Sequence, residues 1–202
     1  MFFKNYPYVL AILFAIIFMF LGISPVDREV WVVEVVPIVI IFFAFIFTFK
    51  SFRFSDYSYT LMFIWMVWHT VGGHYTFANV PFEYVTQLFD FERNHFDRVG
   101  HFAIGFYAFA SAELLIRKKW APPILATVFS LFFIQSVAAN YEIIEWIYAV
   151  LEGGDAGVEF LGSQGDVWDA QKDMLSDSLG AIFSLALYWV LRPDKIVDER
   201  LN

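Results

Sequence analysis

Long apolar runs alternate with short polar segments along the whole of the 202-residue chain. Each run approaches the length of about 20 residues that an α-helix needs to cross the hydrocarbon of a bilayer. Helices are expected because lipid offers the backbone no hydrogen-bond partners. The pattern predicts an all-α, polytopic membrane helix bundle with about six transmembrane helices, forming a single domain over 1–202. The predicted spans are Tyr6–Ile23, Val30–Phe49, Tyr57–Val71, Val99–Ile116, Pro122–Val150 and Met174–Leu191.

Two of the segments between the predicted spans are not simple connections. Pro81–Asp90 mixes apolar and polar residues, which indicates a helix lying on the membrane surface. Leu151–Ala170 is rich in Gly and Asp and is long for a connection, and loops of that length are often functional. The first apolar run ends without a small-x-small cleavage site, which favours a retained span over a cleaved signal peptide.

The composition supports a membrane protein and narrows its chemistry. Hydrophobic residues make up 59% of the chain and charged residues 17%, so the chain is more apolar than a soluble domain. The formal net charge of −8 argues against nucleic acid as a partner. The absence of cysteine excludes disulfides, thiol catalysis and thiolate metal sites.

The distribution of basic residues predicts the orientation. If both termini are cytoplasmic, most of the 13 basic residues fall in inner segments, as the positive-inside rule requires. The stretch Trp120–Gln171 contains no Lys or Arg, although it includes the acidic loop between the last two predicted spans. We therefore expect both termini in the cytoplasm and this loop on the outer side.

Two of the four histidines flank a pair of glycines at the outer end of the third predicted span. His69 and His74 lie on either side of Gly72 and Gly73. Glycine tolerates non-helical backbone, so we expect the pair to break the helix and let His74 turn back towards His69. The alternative is an ordinary helix end that carries two interfacial histidines.

Further ionisable residues lie at the outer ends of the fourth and fifth predicted spans. Asp97 and His101 are four residues apart and share a helix face, beside Arg98. Asp97 alone would equally suit a helix cap, whereas His101 lies deeper in the apolar run. Glu142 and Glu145 are interfacial if the fifth span ends early; at membrane depth, carboxylates usually mark a functional site.

The sixth predicted span begins with an acidic stripe. Its aspartates step by three, four and four residues, which places them on one face of a helix: Asp166, Asp169, Asp173 and Asp177. Like charges at this spacing repel unless cations or protons intervene. The same helix carries Ser176, Gly180 and Ser184, a pattern of small residues suited to close packing against another span. We therefore expect the acidic face to point into the bundle.

These groups share one location, because with the predicted orientation all of them lie at outer helix ends. Imidazole and carboxylate together suit a divalent metal ion and do not distinguish between Zn, Mn, Fe and Mg. The predicted metal ligands are His69, His74, Asp97, His101, Glu145, Asp169, Asp173 and Asp177. The residues assigned to catalysis beside them are Glu142, Asp166 and Arg98.

Four motifs resemble the YjdF-type family of bacterial inner-membrane proteins, and the resemblance covers nearly the whole chain. The motifs are His69–Tyr75, Arg93–Phe102, Glu142–Trp146 and Gln164–Met174. The resemblance implies a multi-pass protein of the bacterial inner membrane, and it implies no mechanism because the family's function is unknown.

A weaker similarity reaches the VanZ-like membrane proteins. Asp97 and His101 match their Asp-x-x-x-His pair at the start of a span. Their acidic helix followed by glycine is matched by Asp173, Asp177 and Gly180. The family's usual Glu-Gln pattern is replaced here by Glu142 and Glu145. The similarity implies a cell-envelope substrate by analogy only.

Three functions are compatible with these observations. The first is a metal-dependent hydrolase that acts on a lipid or envelope-precursor headgroup at the outer membrane–water boundary. The second is a non-catalytic binding or transport protein for a small or amphipathic ligand. The inner halves of the predicted spans are almost entirely apolar, which favours a one-sided site over a channel. The third is a structural network of satisfied polar groups. The lipid bilayer is the expected partner in each case.

Overall fold

A computed structural model describes residues 5–154 and 161–195, and all regular structure within these ranges is helical. A single 3₁₀ turn covers Phe77–Asn79. The helices are α1 (Tyr6–Leu21), α2 (Arg28–Thr48), α3 (Asp56–Tyr75), α4 (Glu83–Leu88), α5 (Phe96–Ile104), α6 (Tyr107–Arg117), α7 (Pro123–Glu152) and α8 (Asp169–Leu191). The all-α prediction is confirmed. Within the predicted loop Leu151–Ala170, residues 155–160 lie outside the described ranges.

Within the described residues, four helical segments are long and apolar enough to cross a membrane. They are Arg28–Thr48, Phe96–Arg117, Pro123–Leu151 and Asp169–Leu191. The other two predicted spans correspond to α1, an apolar helix of 16 residues, and α3, a helix of 20 residues that includes polar side chains. Many apolar side chains on the outer faces of these helices are exposed, as expected for a surface that meets lipid.

The chain passes back and forth between two ends of the bundle. The Tyr6 hydroxyl lies 2.8 Å from Thr60 Oγ1, so α1 and α3 begin at the same end. The indole of Trp189 donates to Thr127 at 3.1 Å, so α8 finishes where α7 begins. Ser130 on α7 bonds to Ser111 on α6 at 2.9 Å. The beginning of the first described helix and the end of the last one therefore lie at the same end of the bundle. The cytoplasmic location of that end stays a prediction.

The helix α3 runs through the centre of the bundle. It packs against α1 and α2 on one side and against α5 and α6 on the other, and α7 and α8 pack on α6 and on each other. Contrary to prediction, Gly72 and Gly73 do not break α3, which continues to Tyr75. A Cβ on Gly73 would lie 3.1 Å from Cβ of Glu34. The glycines are needed because α2 and the ring of Phe77 lie so close to α3.

The fourth predicted span, Val99–Ile116, is two helices rather than one, because Gly105 and Phe106 separate α5 from α6. At this point α5 meets the backbone of α8. A Cβ on Gly180 would lie 1.8 Å from the carbonyl oxygen of Phe102. Ser184 donates a buried hydrogen bond of 3.0 Å to the carbonyl of Gly105, which also accepts a backbone hydrogen bond from Ala108 in a tightened, 3₁₀-type turn.

The predicted small-residue face of the last span is therefore confirmed for Gly180 and Ser184, which contact the backbone of the α5–α6 segment. Ser176 does not join them. Its hydroxyl is turned back to the carbonyl of Lys172 on its own helix, at 3.0 Å.

A second buried polar network lies at the opposite end of α3, and sequence inspection missed it. Glu113 of α6 is fully buried and accepts hydrogen bonds from the backbone and hydroxyl of Ser55 at 2.8 and 2.7 Å. Ser58 and Arg117 also donate to it. The α-helical rise places Ser55 about 21 Å from His69. The inner halves of the helices are thus less apolar than expected, but apolar side chains separate the two networks.

We expect replacement of Gly180 by Ala to lower the free energy of unfolding by about 1–3 kcal/mol or more, because the new methyl group meets the Phe102 carbonyl rather than a movable side chain. Thermal unfolding of detergent-solubilised protein measures the effect. Ser176→Ala on the same helix is the control and should leave the midpoint nearly unchanged. Equal midpoints for the two variants would show that the backbone contact does not limit packing.

Candidate functional site

His101 lies at the centre of a group of carboxylates contributed by three helices. The helix α5 carries it one turn after Asp97, and its ring is buried. Nδ1 lies 3.1 Å from Oδ2 of Asp177, a fully buried aspartate on α8. Nε2 faces Asp97 Oδ1 at 3.7 Å and Glu142 Oε1 at 4.0 Å. His101 is therefore bound on one side and faces two carboxylate oxygens on the other.

The partner of Nδ1 defines the chemistry of the opposite nitrogen. A carboxylate beside Nδ1 accepts a hydrogen bond from Nδ1–H, so in the neutral ring the free lone pair is on Nε2. The distances from Nε2 to Asp97 and Glu142 exceed normal hydrogen-bond lengths. Two ligand atoms that are each about 2.0–2.2 Å from one ion lie about 3–4 Å apart. The spacing around Nε2 thus fits ligands of an ion better than hydrogen-bonded partners.

Asp173 completes a group with the spacing of a metal site. Asp97, His101 and Asp173 each offer one ligand atom, and these atoms all lie within 4.8 Å of one another. Two further carboxylate oxygens nearby are buried without a hydrogen-bond partner, Glu142 Oε1 and Asp177 Oδ1. Buried polar atoms normally have partners, so these oxygens indicate that a cation or water belongs among them.

A layer of arginines and aspartates covers this group on the side of the loop before α8. Nη2 of Arg98 lies 2.6 Å from Asp169 and 3.0 Å from Asp166, and its Nε lies 3.2 Å from Asp173. Arg93 also forms an ion pair with Asp169. We call these five residues the arginine–aspartate layer. It neutralises three members of the predicted acidic stripe, Asp166, Asp169 and Asp173. The stripe points into the bundle as expected.

The outermost member of the layer has a shifted pKa. Hydrogen bonds from Lys172, at 2.6 Å, and from Arg98 stabilise the charged form of Asp166 and lower its pKa well below the ordinary value. Its carboxylate also accepts from the backbone N–H of Trp168 just before α8 begins. Asp166 is therefore ionised and fully bound, so in this geometry it holds the loop in place.

The loop itself is tied to the start of α5. Arg93 donates to the carbonyls of Gly162 and Ser163 at 3.2 and 3.1 Å. Asn94 and Gln164 exchange two hydrogen bonds between side chain and backbone, at 3.0 and 2.9 Å. These bonds join the motifs around residues 94 and 164, which together form one face of the site.

His69 belongs to a second pair at the other side of the site. Its Nε2 lies 3.2 Å from the carboxylate of Glu34 and 3.1 Å from the backbone carbonyl of the same residue. The hydroxyl of Tyr141 donates to Glu34 at 3.0 Å. Both His69 and Glu34 are buried. Glu34 and Tyr141 were not predicted as site residues, although a carboxylate inside an apolar span is a signal for function.

One cavity of about 120 Å³ connects the two histidines. This is several times the space of about 10–15 Å³ that one water molecule needs. Its polar lining residues are Glu34, His69, Asp97, His101, Tyr141, Glu145 and Asp177. On the other side of Glu142, an opening of about 320 Å³ is bordered by the loop residues Ser163, Gly165 and Asp166. The Glu142 carboxylate thus lies between an outer opening and the histidine.

The structure brings together most of the predicted residues, but not all of them in one place. His69, Asp97, His101, Glu145 and Asp177 line the cavity. Asp173 and Glu142 adjoin His101, while Arg98, Asp166 and Asp169 form ion pairs in the layer. That these groups bind a metal or act in catalysis stays a prediction.

His74 is placed elsewhere, contrary to expectation. Its Nδ1 lies 2.6 Å from the carbonyl of Leu21 at the end of α1, and its ring packs against Trp31 and Tyr75. The physical reason is that α3 stays helical, and five residues along a helix rotate a side chain by about 140° from His69. The fourth histidine, His95, packs on Phe91, and burial together with Arg98 lowers its pKa.

Comparison with known proteins supports the membrane assignment. Residues 6–194 match the family model described as "Predicted membrane protein (DUF2238)". The chain is similar to "Inner membrane protein YjdF" of Escherichia coli (strain K12), with 34% identity over 175 residues, which cover 85% of this chain and 83% of that protein. No solved structure matches the chain. The resemblance to the YjdF-type family is thus confirmed.

We expect Arg98→Ala to lower the free energy of unfolding by about 3–5 kcal/mol, because it leaves Asp169 and Asp173 buried without their shared cation. Arg98→Lys should recover only part of this, since an ammonium group does not present the guanidinium fork. Chemical unfolding in detergent measures the difference. Lys172→Ala is the control, because Lys172 is half exposed and exposed ion pairs contribute little. Equal free energies of unfolding for Arg98→Ala and Lys172→Ala would contradict the stabilising role of the arginine–aspartate layer.

Proposed function

This chain belongs to the family of predicted membrane proteins called DUF2238, and we propose that within the inner membrane it is a divalent-metal-dependent hydrolase. The substrate class proposed is a lipid or cell-envelope headgroup at the membrane–water boundary. One observation carries the proposal: Asp97, His101 and Asp173 present ligand atoms within 4.8 Å of one another inside a membrane protein. This spacing is compatible with a single ion once the three side chains close around it.

The surroundings of this group also suit a metal. The pairing of His101 Nδ1 with Asp177 is the carboxylate–histidine contact that fixes the ring of a metal-binding histidine. Asp173 is oriented in the same manner by Arg98 Nε. Carboxylates outnumber cations around Nε2 of His101, so a divalent ion would relieve their mutual repulsion. The mixed imidazole and carboxylate set does not discriminate between Zn, Mn, Fe and Mg.

The chemistry proposed is the attack of water on an ester or phosphoryl bond. Asp97, His101 and Asp173 would hold the ion, which would supply Lewis acidity for activating water and polarising the bond to be broken. Glu142 Oε1 is 4.0 Å from His101 Nε2, is buried, and has no hydrogen-bond partner. Glu142 takes the proton of the attacking water and then returns it to the leaving oxygen.

The main alternative is non-catalytic binding of a small or amphipathic ligand. It is favoured by the commitment of Arg98 and Asp166 to ion pairs, since both were assigned to catalysis and neither is free to meet a substrate. Transport across the bilayer is not favoured, because the apolar cluster around Phe109 and Leu185 lies between the site and the network of Glu113. The two functions differ in whether Glu142 is needed for turnover.

We expect protein purified without chelator to contain a divalent metal, and His101→Asn to lose it. Mass spectrometry of the metal content measures the result. His74→Asn is the matched control, because it makes the same chemical change at a half-buried histidine outside the group, and it should retain the metal. Glu142→Gln should also retain the metal while abolishing release of headgroups from phosphatidylethanolamine and phosphatidylglycerol vesicles.

Equal metal content in His101→Asn and His74→Asn, or no metal in the wild type after incubation with Zn²⁺ or Mn²⁺, would overturn the metal proposal. A metal-loaded wild type that releases no headgroup from these vesicles would instead favour the binding alternative. The two parts of the proposal are therefore tested separately.

A further inference from the structure

The lining of the cavity changes from polar to apolar along the helix α7. Glu145, Tyr141, Ala138 and Ile134 succeed one another at steps of four, three and four residues, so they form one stripe that faces the cavity. The stripe extends over about 16 Å of helix. It begins with a carboxylate, passes a phenol and ends with two apolar side chains that are almost fully buried.

The other helices around the cavity change in the same direction. On α2, Glu34 is followed by Pro37 and Ile41 at steps of three and four. On α5, His101 is followed by Ile104, and on α3 the cavity passes from His69 to Trp65. The lining changes from ionisable to apolar in the same direction along all four helices. The cavity therefore has one ionisable end next to the proposed metal group and one apolar end deeper in the bundle.

The apolar part of the cavity lies between α2 and α7, which pack on different neighbours. The helix α2 packs on α3, whereas α7 packs on α6 and α8. Within the described residues, the hydrogen bond from Tyr141 to Glu34 joins the two helices across the cavity. Val137 at this edge is 40% exposed, and Pro37 and Ile41 are half-buried. These residues belong to membrane-spanning segments, so their exposed surface faces hydrocarbon.

Pro37 weakens the helix α2 at this edge of the cavity. A proline inside a helix has no N–H to donate to the carbonyl four residues earlier, and its ring crowds that carbonyl. It therefore weakens α2 in the turn that contains Glu34, whose own carbonyl is contacted by the ring of His69. The turn is held by α3 and by Tyr141 rather than by its own helix alone.

We infer that a hydrocarbon chain of a membrane lipid enters the apolar part of this cavity from the bilayer, between α2 and α7. The inference rests on the proposed function and narrows its substrate class to lipids whose headgroup is presented to Asp97, His101 and Asp173 from within the membrane. A free ion or sugar would leave Ile41, Ile104 and Ile134 without apolar contacts, and a simple hydrocarbon would leave the carboxylates buried against it. A lipid satisfies both ends.

Water reaches the same group from the opposite side. The opening of about 320 Å³ next to the loop ends at Glu142, which does not line the inner cavity. Lipid and water thus approach His101 from two directions, and Glu142 lies on the side of the water. This arrangement keeps the chain in an apolar environment while its headgroup bond is hydrolysed.

The test uses the full-length protein in phosphatidylglycerol vesicles that contain a phospholipid with a photoactivatable diazirine near the middle of one acyl chain. We expect illumination to label peptides of α2 and α7. Ala138→Trp fills the cavity, and Val137→Trp blocks its edge at an exposed position where folding is not in question. Each should reduce this labelling about tenfold, as a loss of 1.4 kcal/mol in binding would. Ser136→Trp, on the exposed lipid-facing side, should leave it unchanged.

Equal labelling in Val137→Trp and Ser136→Trp, or wild-type labelling spread evenly over all lipid-facing helices, would overturn the inference. Asp173→Asn separates it from the proposed function. This variant should lose the metal but keep the labelling of α2 and α7, because the carboxylate adjoins the ionisable end and not the apolar end. A wild-type protein that binds no metal yet is labelled at α2 and α7 would refute the metal-dependent hydrolase and support the lipid cavity alone.

Discussion

The site depends on the backbone contact between α5 and α8. Gly180 lies against the carbonyl of Phe102, with no room for a methyl group between them. His101 precedes Phe102 by one residue, and Asp177 precedes Gly180 by one helical turn, so the same crossing places the imidazole 3.1 Å from the carboxylate. A larger residue at the crossing would separate the two helices, and the distances from His101 to Asp173 and Asp177 would lengthen with it. The close packing of small residues at this crossing therefore also determines the geometry of the site.

Burial of so many carboxylates requires compensation, and the structure supplies it unevenly. Each charge at membrane depth is costly, by about 2.5–3.5 kcal/mol on insertion scales. Arg93 and Arg98 offset the aspartates nearest the loop. Around Nε2 of His101 no lysine or arginine of the described residues contributes an ion pair, and two carboxylate oxygens there have no partner. This difference between the outer and inner parts is the physical basis for proposing that a cation completes the inner part.

The sequence predicted the helical membrane class, the convergence on His101 and the inward acidic stripe, because apolar run length and residue spacing report these directly. The sequence did not predict the backbone geometry at positions where that geometry depends on a neighbouring segment of the bundle. Gly72 and Gly73 resembled a helix break, but they make room for Glu34 and Phe77. Gly105 lies where the turn between α5 and α6 meets the backbone of α8 at Ala181, a contact that the local sequence does not show. Glu34 and Glu113 were missed as network members, since their partners come from helices far away in sequence.

The central claim is that one ion is shared by His101 and its neighbouring aspartates. Anomalous X-ray diffraction from crystals grown with Mn²⁺ tests it most directly. We expect a single strong peak within about 2.0–2.6 Å of His101 Nε2 and of one carboxylate oxygen each from Asp97 and Asp173. A map without a peak there, in which Nε2 instead makes a direct hydrogen bond to Asp97 or Glu142, would contradict the claim.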